Sequence, residues 1–162
     1  MYNLKRGGGT YKGIVGECLF KLTRRYLILP KFFNKEKYFK IFGERLSKDE
    51  ANFIDNNWHS LDAIEFDYTK NPRKVVLFEV KTLNDVYYHK LNGLNRIPIF
   101  TDSSVKMYKG ALQNGFDVRV AKVWLKDDWN YDVEIVDFDK CNYQIDSPKK
   151  YDKNSATFPL EK

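Results

Sequence analysis

The strongest constraint on the fold is a short apolar run, VVLFEVKT, at residues 75–82. It contains neither glycine nor proline and opens with four apolar side chains, which predicts a β-strand buried on both faces. Two charges, Glu79 and Lys81, interrupt the run. Because side chains alternate along a strand, both leave the same face. Buried charges are costly unless paired or bound, so these residues form either a structural ion pair or half of a metal-dependent active site.

The composition indicates one soluble domain with a basic surface. A chain of 162 residues can bury a substantial core, and a hydrophobic content of 43% excludes a wholly disordered protein. The net charge of +6 favours a polyanionic partner. Cys18 and Cys141 are too few for a disulfide framework. No apolar run reaches the length of a membrane span, and the start does not resemble a signal peptide, so we expect a cytoplasmic protein.

A second strand is predicted just before the apolar run. Residues 62–68, DAIEFDY, alternate in side-chain character, and Asn71-Pro72 marks a turn, so the two strands are expected to pair as an antiparallel hairpin. The start of the earlier strand then lies opposite the end of the later one, which brings Asp62 toward Glu79. Asp67, the competing acid, would lie near the turn and far from Glu79.

Helices are predicted on the amino-terminal side of this hairpin. An amphipathic helix is expected from Ile14 to Leu29, ended by Pro30. A capping-box signature, Ser47 with Glu50, opens another helix that runs to about residue 58. Between them, residues 31–46 interleave aromatic residues with lysines. That pattern suits either nucleic-acid contacts or a core face backed by a solvated one.

One helix and two strands are predicted after the hairpin. The helix is capped by Asp102 or Ser103 and ends at Gly115. The strands span residues 117–125 and 131–138. We further expect a mobile arm at residues 1–13 and a polar tail at about 141–162. The buried face of this helix is expected to carry Val105, Tyr108, Ala111 and Leu112.

The order of these elements resembles the core of the PD-(D/E)XK nuclease superfamily: a helix, a hairpin bearing Asp and then Glu-x-Lys, a helix and a strand. The Gly-x-x-Gly-Glu run of residues 13–17 is similar to the opening of archaeal Holliday-junction resolvases, and the lysine- and aromatic-rich composition suggests an archaeal virus or another mobile element. The resemblance covers roughly residues 13–125. It implies an α/β fold with a restriction-endonuclease-like core, a central mixed β-sheet flanked by helices. This chain departs from the pattern at Leu61, where the family has proline.

Carried onto this sequence, the resemblance implies that Asp62 and Glu79 bind metal, with the carbonyl of Val80 as a further ligand. Lys81 would be the catalytic lysine and Glu17 an accessory acid. The implied cofactor is Mg²⁺, with Mn²⁺ as a substitute, since hard cations take carboxylate oxygens. The implied activity is hydrolysis of DNA phosphodiester bonds, more as an endonuclease than an exonuclease. An ion pair between Glu17 and Lys21, four residues later on the helix, would account for an acid at this position equally well without a catalytic role.

The expected partner is duplex DNA; branched duplexes, duplexes with free ends and a homodimer stay open. If the protein is viral, its compartment is the host cytoplasm. Two other functions also stay open: a non-catalytic nucleic-acid-binding protein on the same fold, and an oligomeric interaction protein whose Glu79 and Lys81 form a structural pair. Zinc hydrolysis is disfavoured because His59 and His89 are single. Phosphate contacts are expected from basic residues of the arm and helices: Arg6, Lys12, Lys21, Arg24, Lys106 and Lys109.

Overall fold

The structure, a computed structural model, describes residues 8–84, 98–126 and 130–146. The helices are α1 (Gly8–Thr23), α2 (Lys35–Phe42), α3 (Lys48–Asn57) and α4 (Asp102–Gln113). The strands are β1 (Ala63–Asp67), β2 (Lys74–Asn84), β3 (Ile99–Thr101), β4 (Asp117–Leu125), β5 (Tyr131–Asp137) and β6 (Gln144–Asp146). Within these ranges, no helix is long and apolar enough to cross a membrane.

Four strands form a central mixed sheet in the order β1-β2-β4-β5. β1 pairs with β2 and β5 with β4 in antiparallel fashion, whereas β2 and β4 run parallel. A separate parallel pair joins β3 to β6. The predicted hairpin and the predicted α/β class with a central mixed sheet are therefore confirmed.

The sheet buries a core on each of its faces. On one face, Phe20 of α1 packs edge-on against Phe78, with ring centroids 5.0 Å apart. On the other face, α2, α3 and α4 contribute Tyr38, Ile54 and Tyr108. Covering both faces requires apolar side chains of both parities, which explains the unbroken apolar start of β2. The prediction of a strand buried on both sides is confirmed by the burial of Val75, Val76, Leu77 and Phe78.

Several helix ends match their predicted signals. Ser47 and Glu50 form both hydrogen bonds of the capping box at 3.1 Å and open α3. Gly115, with φ of 86°, follows the end of α4 in the left-handed conformation that glycine tolerates. The N-cap predictions were wrong: Thr101 caps α4, accepting a hydrogen bond from the Ser104 N–H at 3.2 Å. On the predicted buried face of α4, Leu112 is exposed, whereas the other three members are buried.

The boundaries predicted for α1 were wrong at both ends. The helix includes residues 8–13 of the predicted arm, because a nucleated helix gains a backbone hydrogen bond for each residue added. It stops at Thr23 rather than at Leu29. The chain beyond is extended, and Ile28 exchanges two backbone hydrogen bonds of 2.9 Å with Ile64. A helical conformation is disfavoured at Leu29 because Pro30 follows it.

The predicted tail was wrong for residues 141–146. Cys141 is buried, and β6 pairs with β3 in a ladder of three residues, too short to show a period in the sequence. Residues 147–162 of the tail lie outside the described residues, as do residues 1–7 and His89.

The aromatic side chains of residues 31–46 divide unequally between core and surface. Tyr38 is fully buried, and Phe33, Phe39 and Phe42 pack around the same core, whereas Phe32 is exposed. This distribution favours the core interpretation for most of these residues.

Candidate active site

The site lies at the open end of the hairpin, where β2 outruns β1. β1 begins at Ala63, opposite Phe78, while β2 continues to Asn84. Asp62 is level with the next residue of β2, and its Oδ2 accepts a hydrogen bond from the Val80 N–H at 2.9 Å. The carboxylate thus takes the place of the missing strand. Because the N–H and C=O of one residue in a strand point to the same side, the Val80 carbonyl faces this open edge too.

Glu79 and Lys81 form an ion pair on the α4 side of the sheet. Lys81 Nζ lies 2.8 Å from Glu79 Oε1 and 4.7 Å from the centroid of the Phe100 ring, a cation–π contact. Beneath them, the Tyr108 hydroxyl is fully buried, 3.4 Å from the Phe78 carbonyl oxygen. Burial, together with the negative charge of Glu79, raises the pKa of Tyr108, so this phenol stays neutral and can donate a hydrogen bond.

Glu17 reaches the same end of the hairpin because a glycine precedes it. A Cβ at Gly16 would lie 1.8 Å from Thr82 Oγ1, so only glycine lets α1 approach β2 this closely. Glu17 is nearly fully buried, and its Oε2 has no hydrogen-bond partner among the described residues. The alternative ion pair between Glu17 and Lys21 does not form in the structure. Lys21 Nζ donates a hydrogen bond to the Arg25 carbonyl at 3.0 Å instead.

Lys31 is a site residue that the sequence did not single out. It lies in the short helical turn Pro30–Phe32. Its Nζ is 2.6 Å from Glu17 Oε1 and 3.5 Å from Asp62 Oδ1. It is one of five cations in the basic and aromatic run, and nothing in its neighbours distinguishes it from the other four.

The three carboxyl groups of the site, Asp62, Glu79 and Glu17, are paired with only two ammonium groups, those of Lys31 and Lys81. Burial, and then the charge of Glu79, raises the pKa of Asp62 to about 7, although the Val80 N–H and Lys31 act in the opposite direction. For Lys31, burial alone would lower the pKa, but the hydrogen bond to Glu17 and the charge of Asp62 outweigh it and raise the pKa. Lys31 is therefore protonated at neutral pH, whereas the neighbouring carboxyl group of Asp62 is only partly ionised.

The donor set fits a hard divalent cation. Asp62, Glu79 and Glu17 offer carboxylate oxygens, and both the raised pKa of Asp62 and the unpartnered oxygen of Glu17 favour added positive charge. Across the ranges that the structure describes, no three His, Cys, Asp or Glu side chains already stand as a metal-ligand set. The ammonium groups of Lys31 and Lys81 are the counter-ions of these carboxylates instead.

Asp67 lies at the other end of the hairpin, as expected. It is opposite Lys74 in the β1–β2 register and accepts a hydrogen bond from the Thr69 N–H at 2.9 Å. Its Oδ2 is 3.6 Å from Arg119 Nη2. The choice of Asp62 over Asp67 as the neighbour of Glu79 is confirmed.

The basic residues expected to contact DNA have different surroundings. Arg24 forms an ion pair with Glu65 and lies over the Phe78 ring at 5.4 Å, so it contributes to packing. Burial lowers the pKa of Lys12. Lys106, which pairs with Asp102 at 2.9 Å, and Lys109 are exposed on α4. Arg6 lies outside the described residues.

Comparisons of the chain with models of protein families, with curated protein sequences and with solved structures found no match. No neighbour therefore supplies an activity by analogy.

Proposed function

We propose that the protein is a metal-dependent nuclease that hydrolyses phosphodiester bonds of DNA, acting as an endonuclease, on a restriction-endonuclease-like core of the PD-(D/E)XK type. The proposal is carried by one observation: Asp62 is bonded to the backbone of β2 beside Glu79, at the point where Lys81 pairs with Glu79. Metal-dependent phosphodiester hydrolysis needs carboxylates that can hold the ion and a cation that can stabilise charge on the phosphate. The carboxylate pair and the adjacent ammonium at this edge of the sheet can supply both.

In this proposal, each side chain has a separate role. Asp62 and Glu79 would hold Mg²⁺ or Mn²⁺, with the Val80 carbonyl and Glu17 as further oxygen donors. The bound ion would lower the pKa of a water molecule and screen the charge of the phosphate. Lys81 would orient that water and offset the negative charge that develops on the phosphate in the transition state. Tyr108, whose hydroxyl donates a hydrogen bond to the Phe78 carbonyl at 3.4 Å, would support the strand next to Glu79 from the core side.

The surface beside the site supports a nucleic-acid substrate. At the site, the exposed Phe32 directly follows Lys31. Earlier in the same segment, on the side away from Asp62, the Arg25 guanidinium lies 5.5 Å from the centroid of the exposed Tyr26 ring. Exposed aromatic rings next to cations suit base stacking combined with phosphate contacts. The net charge of +6 adds a general attraction for polyanions.

One observation favours a second candidate, a non-catalytic nucleic-acid-binding protein on the same fold. Lys31 and Lys81 already neutralise Glu17 and Glu79 at 2.6 and 2.8 Å. In such a protein these contacts would be structural ion pairs, and only the basic surface would be used.

A cleavage panel separates the two candidates. Circular, linear and single-stranded DNA are incubated with the purified protein in Mg²⁺, in Mn²⁺ and in excess EDTA. The nuclease proposal expects nicking or cutting of circular DNA with either ion and none with EDTA. A Glu79→Ala preparation purified in parallel controls for contaminating nucleases. Undiminished cleavage in EDTA contradicts the metal mechanism, and DNA binding without cleavage under any condition favours the second candidate.

A further inference from the structure

The two lysines of the site are held in different ways. Lys81 leaves β2 at a level where that strand is paired with β4, and its side chain is 24% exposed, confined between Glu79 and the Phe100 ring. Lys31 leaves a short turn outside the sheet, and its side chain is 43% exposed. A long, half-exposed lysine side chain can move into solvent by rotation about its own bonds, because its ammonium is strongly hydrated. Lys31 can therefore leave the site, whereas Lys81 is fixed in it.

The position of Lys31 matches that of a small cation. Its ammonium lies between the carboxylates of Glu17 and Asp62, and it touches one oxygen of each. Pro30, the first residue of the turn, is buried and fixes the backbone. The second oxygen of Glu17 is buried and has no hydrogen-bond partner in the part of the chain that the structure describes. A single ammonium thus satisfies the two acids incompletely, and buried carboxylates strongly favour a fuller counter-charge.

We propose that Lys31 is a resident counter-ion, an ammonium that keeps Glu17 and Asp62 together until it yields them to a divalent cation. Once released, the Lys31 side chain remains at the mouth of the site beside Phe32, where its charge is available to a DNA phosphate. Lys31 is then a positioning residue that couples loading of the ion to contact with the substrate. This inference depends on the proposed function, because it assigns the cation to the same carboxylates.

The first test measures affinity for Mn²⁺ by titration calorimetry in the absence of DNA. Lys31→Met removes the competing ammonium and is expected to tighten Mn²⁺ binding roughly tenfold. This is the effect expected if the fraction of molecules whose site is open to the ion rises from about a tenth to nearly all. Lys35→Met is the matched control. Lys35 lies four residues further on and pairs with Asp55 at the surface, so its removal should leave the affinity unchanged. Unchanged or weaker binding by Lys31→Met overturns the inference.

The second test uses the wild-type chain and does not depend on how the variant folds. Lysine acetylation by a water-soluble reagent is quantified by peptide mass spectrometry, with and without Mn²⁺. Displacement of Lys31 is expected to raise its acetylation rate severalfold on addition of the ion, while that of Lys35 stays constant. A Lys31 rate that does not change with Mn²⁺ overturns the inference, because the ammonium then stays in place when the ion binds.

The two proposals fail in distinguishable ways. If the wild-type protein cleaves DNA with Mn²⁺ but Lys31 shows neither effect, the nuclease function stands and the counter-ion role of Lys31 is wrong. If Lys31→Met binds Mn²⁺ tightly but no condition yields cleavage, the cation site stands and the nuclease function is wrong.

Discussion

Each end of the β1–β2 hairpin carries an aspartate, and the pKa values of the two aspartates are shifted in opposite directions. At the turn, the Thr69 hydroxyl and N–H, together with Arg119, hold the pKa of Asp67 below its usual value. At the open end, burial and the neighbouring Glu79 raise the pKa of Asp62 to about 7. The two aspartates are only five positions apart in the chain, yet their surroundings differ. The nearby Thr69 is the main cause of the lowered pKa of Asp67, whereas burial, and then acids from other elements, raise the pKa of Asp62.

The comparison supports placing the proposed active site at the open end of the hairpin. The Asp67 end satisfies its carboxylate with hydrogen bonds and a cation, as a structural turn does. The open end brings together Asp62, Glu79 and Glu17, although Glu79 and Glu17 raise the cost of ionising Asp62. Carboxyl groups perturbed in this way are concentrated at functional sites.

The largest contrast is expected in cleavage rate. Asp62→Asn and Glu79→Ala should each lower the initial rate with Mg²⁺ by about 10³-fold, since each removes an oxygen ligand from the electrostatic centre of the reaction. Lys81→Ala should be deeply impaired as well. Asp67→Asn, the matched control at the turn, should keep the wild-type rate. An equal loss in Asp67→Asn would remove the functional distinction between the two ends.

The next contrast concerns the pH dependence of stability in EDTA. Because the pKa of folded Asp62 is raised from about 4 to about 7, folded protein binds more protons across that window, and this residue's contribution to stability falls as the pH rises through it. At pH 8, Asp62→Asn should therefore have a higher free energy of unfolding than wild type, by on the order of 2 kcal/mol, and should unfold at a higher denaturant concentration. At pH 4, the substitution should give no gain in stability.

Asp67 should show the opposite sign. Its pKa is lowered, so its contribution is present above the unfolded pKa of about 4 and is lost as the pH falls through the folded value. Asp67→Asn should thus lose a little stability at pH 8. If Asp62→Asn instead melts earlier than wild type at pH 8, the carboxylate belongs to a stabilising ion pair, and the site is structural.

A smaller effect is expected from Gly16, the glycine that sets the distance between α1 and the open end. Gly16→Ala should lower the free energy of unfolding by about 1–3 kcal/mol and reduce cleavage, because the new methyl group meets Thr82 and pushes Glu17 outward. Gly13→Ala, one turn earlier, meets nothing within 4 Å and should gain up to about 1 kcal/mol from helix propensity. Denaturant melts and cleavage rates measure both. Equal melting of the two variants would show that α1 does not need its close approach.

The smallest effect concerns charges outside the hairpin. If Lys106 and Lys109 each contact a phosphate, replacing both with glutamine should make the slope of log affinity against log salt shallower by about 0.9 per contact. Turnover at saturating DNA should not change, because neither lysine is part of the site. Binding titrations on duplex DNA at several salt concentrations measure the slope. An unchanged slope would indicate that these lysines only keep the protein soluble.

Much of the hairpin could be predicted because its signals are local. A two-residue period, a turn at Asn71-Pro72 and a run apolar on both faces fix the pairing, and the pairing alone brings Asp62 level with Glu79. The capping box at Ser47 and the stop at Gly115 are similarly determined by neighbouring residues.

The rest depends on contacts between residues that are distant in the sequence. Leu27 and Leu29 continue the helical spacing of α1, yet both are buried from an extended segment, because periodicity records burial and not backbone conformation. Lys31 meets Asp62 only because that segment bridges to β1 through Ile28. The pKa of Asp62 is raised first by burial and then by the carboxylates of Glu79 and Glu17, which come from separate elements, and no local pattern encodes such a meeting.

The outer strand β5 has a consequence for assembly. Among the described strands, β5 pairs only with β4, so its other side presents unpaired backbone groups to solvent. Such an edge invites a second strand to add to the sheet. Three of its seven residues are acids, and each forms an ion pair with a lysine: Asp132 with Lys126, Glu134 with Lys122 and Asp137 with Lys140. Charged side chains on an edge strand disfavour the addition of a second copy, because the incoming strand would have to accommodate or displace these ion pairs.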